Sequence, residues 1–260
     1  DAIKYLKIAS DNGNSNAIHL LATLNRYGKG CPVNKEEMFK YYKMASDKGD
    51  SGAMCIYATM NRDGEGCPVN KKEAIKYNKM ASEKGNSMAM CNYVFMLYNG
   101  DGCTKNIVES TKYFKLAADN GDITAMNNYA IMLFKGEGCP INKKESAKYF
   151  KLAADKGDPD SMNSYATMLR DGDECPINKE EAMKYFKLAA NKGNDNAMYK
   201  YATMVYNGDG CPINKKEAIK YFELAANKGN LEALYNSAVM LRDGDGCSIN
   251  KEAAIKYFKI

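Results

Sequence analysis

Residues 136–142 read Gly136-Glu137-Gly138-Cys139-Pro140-Ile141-Asn142, and variants of this stretch recur along the chain at a constant interval. The equivalent stretches run from Gly28 to Asn34, Gly64 to Asn70, Gly100 to Asn106, Gly172 to Asn178, Gly208 to Asn214 and Gly244 to Asn250, always 36 residues apart. A chain of 260 residues ordinarily makes one large or two small globular domains. A strict period of this size marks instead a quasi-one-dimensional repeat array.

Each side of the stretch carries the grammar of a helix. Downstream, Asn142 is an N-cap and Glu145, three residues later, completes a capping box. The pairing recurs as Asn34/Glu37, Asn70/Glu73, Asn106/Glu109, Asn178/Glu181 and Asn214/Glu217, and fails at Asn250, where Ala253 replaces the acid. The helix that follows, helix B, is apolar at Ala147, Tyr149, Phe150, Leu152, Ala153 and Ala154, and stops at Lys156-Gly157. Upstream, helix A is capped by Asp122 and places Ala125, Met126, Tyr129, Ala130, Met132 and Leu133 on one stripe before Gly136 ends it. The caps Asn14, Asp50, Asn86, Asp158, Asn194 and Asn230 repeat that start, with Pro159 at a first helical position. These signals divide the single array 1–260 into a half unit 1–13, repeats 14–49, 50–85, 86–121, 122–157, 158–193 and 194–229, and a partial repeat 230–260. The raw half units predict an array continuing past either end, or self-association of the piece.

Composition narrows the classes. Apolar residues make up 45% of the chain, enough for a packed interior, yet no run is long and apolar enough to span a bilayer. The net charge of +5 is mild, and lysines interleave with acids, which argues against a nucleic-acid partner. Seven of nine cysteines, Cys31, Cys67, Cys103, Cys139, Cys175, Cys211 and Cys247, fall once per repeat. Stacked equivalents lie too far apart to pair, and no Cys-x-x-Cys occurs, so neither a disulfide framework nor a zinc site is expected. A reduced, cytoplasmic compartment follows as the expectation.

The unit 122–157, with Ala125, Tyr129-Ala130, Gly136-Glu137-Gly138-Cys139, Asn142 to Ser146, Tyr149, Ala153-Ala154 and Gly157, resembles the Sel1-like repeat family, a longer relative of the tetratricopeptide repeat. It departs from the family pattern systematically: Tyr stands for Leu at Tyr57, Tyr93, Tyr129, Tyr165 and Tyr201, Ala for the adjoining Gly, Cys for Val, and Asn for the Asp cap. Each swap keeps size class or capping chemistry. The resemblance implies an all-α fold, a right-handed superhelical solenoid of helix-turn-helix repeats. It also implies a non-catalytic scaffold or adaptor that presents surfaces to proteins.

Near-identical repeats differ most on the helix-A face opposite the apolar stripe, which by analogy with related solenoids lines a concave groove. The position of His19 becomes Cys55, Cys91, Asn127, Asn163, Tyr199 and Tyr235; that of Leu20 becomes Ile56, Asn92, Asn128, Ser164, Lys200 and Asn236. The Arg26 position becomes Arg62, Tyr98, Phe134, Arg170, Tyr206 and Arg242. Asn offers donor and acceptor to a peptide backbone, Tyr gives contact area, and Arg forks hold carboxylates. The expected peptide cradle is therefore Asn92, Asn127, Asn128, Asn163, Tyr199 and Lys200, with Arg62 and Arg170 adding acidic selectivity. Cys55 and Cys91 on this face are candidate exposed, redox-sensitive thiols. On helix B a row from Lys4 to Lys256, with Lys43, Lys79, Lys115, Lys151 and Lys187 beside it, offers an alternative, electrostatic binding of anionic polymers. Another alternative is the non-catalytic region of a larger enzyme or signalling protein.

Catalysis finds little support. His19 is the only histidine, which removes His-based triads and multi-histidine metal sites. Ser248-Ile249-Asn250-Lys251 overlays a repeat loop and lacks partner motifs. Asp243 to Gly246 suggests a calcium loop, but Ala254 sits where the distal Glu is required. No cofactor and no metal are expected.

Overall fold

The structure, a computed structural model, describes residues 2–29 and 32–258, so Gly30 and Cys31 of the first repeat stretch lie outside the described residues. Among the described residues the chain is all α-helix and turn. The helices are α1 (Ala2–Asp11), α2 (Ser15–Tyr27), α3 (Lys35–Asp47), α4 (Ser51–Asp63), α5 (Lys71–Glu83), α6 (Ser87–Asn99), α7 (Ile107–Asp119) and α8 (Ile123–Lys135). They continue with α9 (Lys143–Asp155), α10 (Pro159–Asp171), α11 (Lys179–Asn191), α12 (Asp195–Asn207), α13 (Lys215–Ala226), α14 (Leu231–Asp243) and α15 (Lys251–Phe258). From α2, even-numbered helices are A helices and odd-numbered ones B helices. Two compact units emerge, one of residues up to 125 with 137–139, the other of 126–136 with 140 onward. In each unit, helices pack on their neighbours in chain order, the arrangement of an α-solenoid.

The helix starts follow the expected capping chemistry. Asn14, Asp50, Asn86, Asp158, Asn194 and Asn230 each accept a hydrogen bond from the backbone N–H three residues on. The B-helix asparagines do the same, as when Asn142 Oδ1 accepts from Glu145 N at 3.0 Å. The other half of the capping box is different. The backbone N–H of Asn142 donates to Leu133 O at 2.9 Å, and that of Asn106 to Leu97 O at 2.9 Å, so it ties helix B to helix A. The glutamate is thereby released. Glu109 accepts from the Asn106 amide at 3.0 Å and from the Tyr93 hydroxyl at 2.8 Å, and Glu217 accepts from Tyr201 at 2.8 Å.

The cores are aromatic and sulfur-rich. Edge-to-face pairs join helices A and B at Tyr57/Tyr77, Tyr93/Tyr113, Tyr129/Tyr149, Tyr165/Tyr185 and Tyr201/Tyr221, with ring centroids 4.7–5.1 Å apart. The methionine column, Met60 to Met240, is buried throughout, as core packing requires. All six residues of the helix-A stripe in 122–157 are buried. On helix B, Leu152 departs from expectation: it is exposed, with Leu116, Leu188 and Leu224 at the same register. Small buried residues, Ser110, Ser146, Ala182 and Ala218, take the position closest to helix A, with Ser146 donating to Ala130 O at 2.7 Å, and the leucines lie at the rim.

The repeated Gly-x-Gly stretch does more than punctuate. Its first glycine is a left-handed helix stop, as at Gly64 and Gly172. Its second glycine also has positive φ, 81° at Gly102 and 73° at Gly138, and lies against the first turn of the preceding B helix. A Cβ at Gly102 would overlap the Lys71 carbonyl. Beside this contact the middle residue of the stretch forms an ion pair with the first residue of that B helix: Lys71–Asp101 at 2.7 Å, Lys143–Asp173 at 2.6 Å, Lys179–Asp209 at 2.6 Å and Lys215–Asp245 at 2.8 Å. In one copy Glu174 replaces the second glycine, and it is the one non-glycine among the described residues with positive φ, at 58°. The site is left-handed, and a glutamate occupies it at a conformational cost of about 1–2 kcal/mol. Glu174→Gly is therefore expected to stabilise the chain by about 0.5–1 kcal/mol, read as a higher urea midpoint at constant m-value. An unchanged midpoint would mean that the glutamate side chain offsets its own strain.

Candidate functional site

Successive A helices leave shallow cavities on the face opposite their buried stripe. The one centred on α10 has a volume of about 240 Å³ and is walled by Ile131, Phe134, Phe150, Asn163, Thr167 and Lys200, among others. Residues from α8, α9, α10 and α12 build it, all in the second compact unit. Phe150 supplies a buried aromatic floor. A second cavity of about 220 Å³, walled by Thr203, Tyr206, Phe222, Asn236 and Val239, repeats it 72 residues on. Between them the equivalent space is filled. Arg170 and Lys200 both lie over the ring of Phe186, at 6.0 and 5.6 Å from its centroid.

Polar groups border the α10 cavity in a chain. Lys200 Nζ donates to Thr167 Oγ1 at 2.8 Å, and Thr167 Oγ1 donates to Asn163 O at 2.8 Å. The side-chain Oδ1 of Asn163 is buried and has no hydrogen-bond partner. Burial, then the nearby Arg170, holds the Lys200 ammonium below its ordinary value, with Asp171 acting the other way. Asp173 at the rim is already held by Lys143, which sits 5.2 Å from the Phe134 ring centroid.

Of the eight residues singled out from sequence, the structure places Asn163 and Lys200 at this cavity. Asn127 accepts a hydrogen bond from Ser161 at 2.9 Å, and Asn128 is partly exposed beside it. Tyr199 packs on Phe222 and lines a separate depression with Tyr235. Asn92, in the first unit, donates to Cys55 Sγ at 3.8 Å. Arg62 and Arg170 are forked onto their own neighbours: Arg62 Nε to Asp63 at 2.8 Å and Arg170 Nε to Asp171 at 2.7 Å. Their guanidinium forks thus already hold carboxylates of this chain. Sequence reading missed Ile131 and Thr167; Phe134 stands at the varying Arg26 position, echoed by Tyr206 72 residues on, but was left out of the cradle.

The thiols are not sensors by geometry. Cys55 is 3% exposed, contrary to the exposed placement expected. Burial, then Asp122 whose carboxylate lies 3.8 Å away, pushes the Cys91 thiol up to about 11. Fewer than about one Cys91 in a hundred is thiolate at pH 8. Cys91 is expected to react with a disulfide reagent at least tenfold more slowly than a free thiol at pH 8, the rate climbing through pH 10. Labelling of tryptic peptides followed by mass spectrometry reads it, and fast labelling at pH 8 would contradict this placement.

Beside the row from Lys4 to Lys256, the second row of lysines on helix B is neutralised at close range. Lys43 holds Asp47 at 3.0 Å and Lys151 holds Asp155 at 2.8 Å, each also touching the next repeat's tyrosine. Lys187 holds Glu217 at 3.0 Å. These pairings weaken the case for an anionic polymer on this face.

Among the described residues no helix is long and apolar enough to cross a membrane, and no cluster of three His, Cys, Asp or Glu side chains could hold a metal ion. The Sel1 repeat model matches residues 1–14, 15–50, 51–86, 87–122, 123–158, 159–194, 195–230 and 231–260. The chain belongs to the Sel1 repeat family. Its fold is similar to that of c5321, a protective antigen of uropathogenic Escherichia coli strains displaying an SLR fold, with a TM-score of 0.91 at 24% identity over 99% of this chain. This Sel1 repeat chain spans 56% of that protein's length. It is also similar to a Sel1 repeat protein from Oxalobacter formigenes, with a TM-score of 0.81 at 22% identity, covering 99% of this chain and 74% of that one. A search of the curated proteins returned no match.

Proposed function

We propose that this chain is a non-catalytic scaffold that captures a peptide or protein segment on its helix-A face. The compartment we assign is the cytoplasm, on the reduced state of its cysteines. The observation that carries the reading is the α10 cavity: an apolar hollow bordered by the partnerless carbonyl of Asn163 and by Lys200. A buried carbonyl left without a donor costs about 1–3 kcal/mol, which a ligand N–H recovers. Repetition of the hollow at Phe222 supplies a second contact point for an extended segment.

Selection of random linear peptides on the immobilised chain tests this. Capture of selected peptides is expected to fall tenfold or more when Asn127, Asn128 and Asn163 are all changed to Ala, with the far-ultraviolet circular dichroism unchanged. Capture unaltered by the triple change would overturn the assignment of the face.

A further inference from the structure

We propose that the α10 cavity takes the carboxyl-terminal residue of a partner chain, one with an apolar last side chain such as Leu, Met or Phe. The proposal rests on the scaffold reading above and names its ligand. Three observations converge. The hollow, about 240 Å³ with Ile131, Phe134 and Phe150 in its walls, suits a single apolar side chain. Asn163 Oδ1 is buried without a donor. Lys200 is half-buried with no carboxylate partner of its own, and its ammonium bonds only the Thr167 hydroxyl and shares the Phe186 ring with Arg170.

The third observation decides the charge of the ligand. Two cations over one ring repel, and Asp171 is already occupied by the Arg170 fork. Asp171 therefore acts on Lys200 only through space, and no carboxylate among the described residues is hydrogen-bonded to its ammonium. A carboxylate arriving beside it forms a charge-assisted hydrogen bond with a half-buried ammonium. The hydroxyl of Thr167 links Lys200 to the backbone of Asn163, and the cation and the orphan acceptor belong to residues that border the same small hollow. A ligand must present an apolar group, an N–H and a carboxylate within that short reach. The last residue of a polypeptide carries all three on one Cα. An internal Asp or Glu spends its side chain on the carboxylate and leaves the hollow empty.

The test uses three small probes on the intact chain: N-acetyl-leucine, N-acetyl-leucinamide and N-acetyl-glutamic acid α-methylamide. The methyl resonances of Ile131 and Met168 are followed by NMR. N-acetyl-leucine is expected to shift both saturably in the millimolar range, with the two other probes at least about tenfold weaker. Lys200→Met should abolish the preference for the free carboxylate; Leu20 and Ile56 occupy the same repeat position, so an apolar side chain suits the fold there. Equal binding of the amide, a preference surviving in K200M, or no shift of either methyl overturns the proposal. The peptide selection separates this failure from that of the scaffold reading: internal segments captured without regard to their ends leave the scaffold standing and sink the terminal-residue site, while no capture of any peptide sinks both.

Discussion

Gly102→Ala is expected to destabilise the chain by about 3 kcal/mol or more. Two costs combine. The residue sits at φ 81°, where an L side chain costs about 1–2 kcal/mol. The added Cβ would also run into the backbone of Lys71, which belongs to a helix and cannot swing aside as a flexible side chain would. The second cost isolates the close approach, because Gly121 offers a control. It has φ 95° and open space around its Cβ position, so Gly121→Ala carries only the conformational cost. Urea unfolding of both variants should separate them by about 2 kcal/mol. Equal losses would mean that the loop retreats from Lys71 without penalty, and that the second glycine is tolerated only for its φ.

Phe186→Ala should cost about 3–5 kcal/mol. The ring is fully buried and lies in the α11 core of the second unit, where no neighbour can collapse into the space without moving a helix. It also carries two cations, Arg170 and Lys200, as Tyr77 carries Lys43 and Lys76 in the first unit. Removing the ring therefore deletes a cation–π platform along with the packing. Phe186→Leu separates the effects, since it retains most of the volume and loses the quadrupole. Leu is expected to restore more than half of the stability while leaving Lys200 more mobile, which the ¹⁵Nζ resonance of that lysine reports. A loss under about 1 kcal/mol for the alanine variant would show that the core at α11 repacks.

The helices were legible in the sequence because their signals are local. An asparagine followed by a good helix former, a glycine at the stop and a 3.6-residue stripe each act within a single turn, and Asn142, Gly136 and Tyr129 behave as read. What escaped depends on partners that the sequence does not place. The helix-B glutamates were read as reciprocal caps, but the N–H they would have accepted is engaged by helix A. Leu152 lies at the edge of its stripe, and small buried Ser146 takes the position closest to helix A. Arg62 and Arg170 suggested a place for a partner's acid, yet Asp63 and Asp171 stand next to them in sequence, and an i,i+1 pair on a helix gives no helical-wheel signal. For the candidate site, variation among near-copies pointed to the helix-A face, and two of the residues it singled out, Asn163 and Lys200, line the α10 cavity. The aromatic floor was invisible because Phe150 looks like any other core position until the neighbouring A helices are in place.

The lysine–acid pairs on the loop edge join the same two positions of successive repeats, thirty residues apart each time, as in Lys143–Asp173 and Lys179–Asp209. Excising residues 158–193 would present Asp209 to Lys143 in place of Asp173, and Gly210 to the backbone that Glu174 now meets. The loop-edge ties at the new junction would find equivalent partners, whereas the Ser161–Asn127 and Lys200–Thr167 hydrogen bonds would be lost to Ala197 and Ile131. The loop edge is thus indifferent to copy number, and what a gained or lost repeat changes is confined to the side chains of the helix-A face.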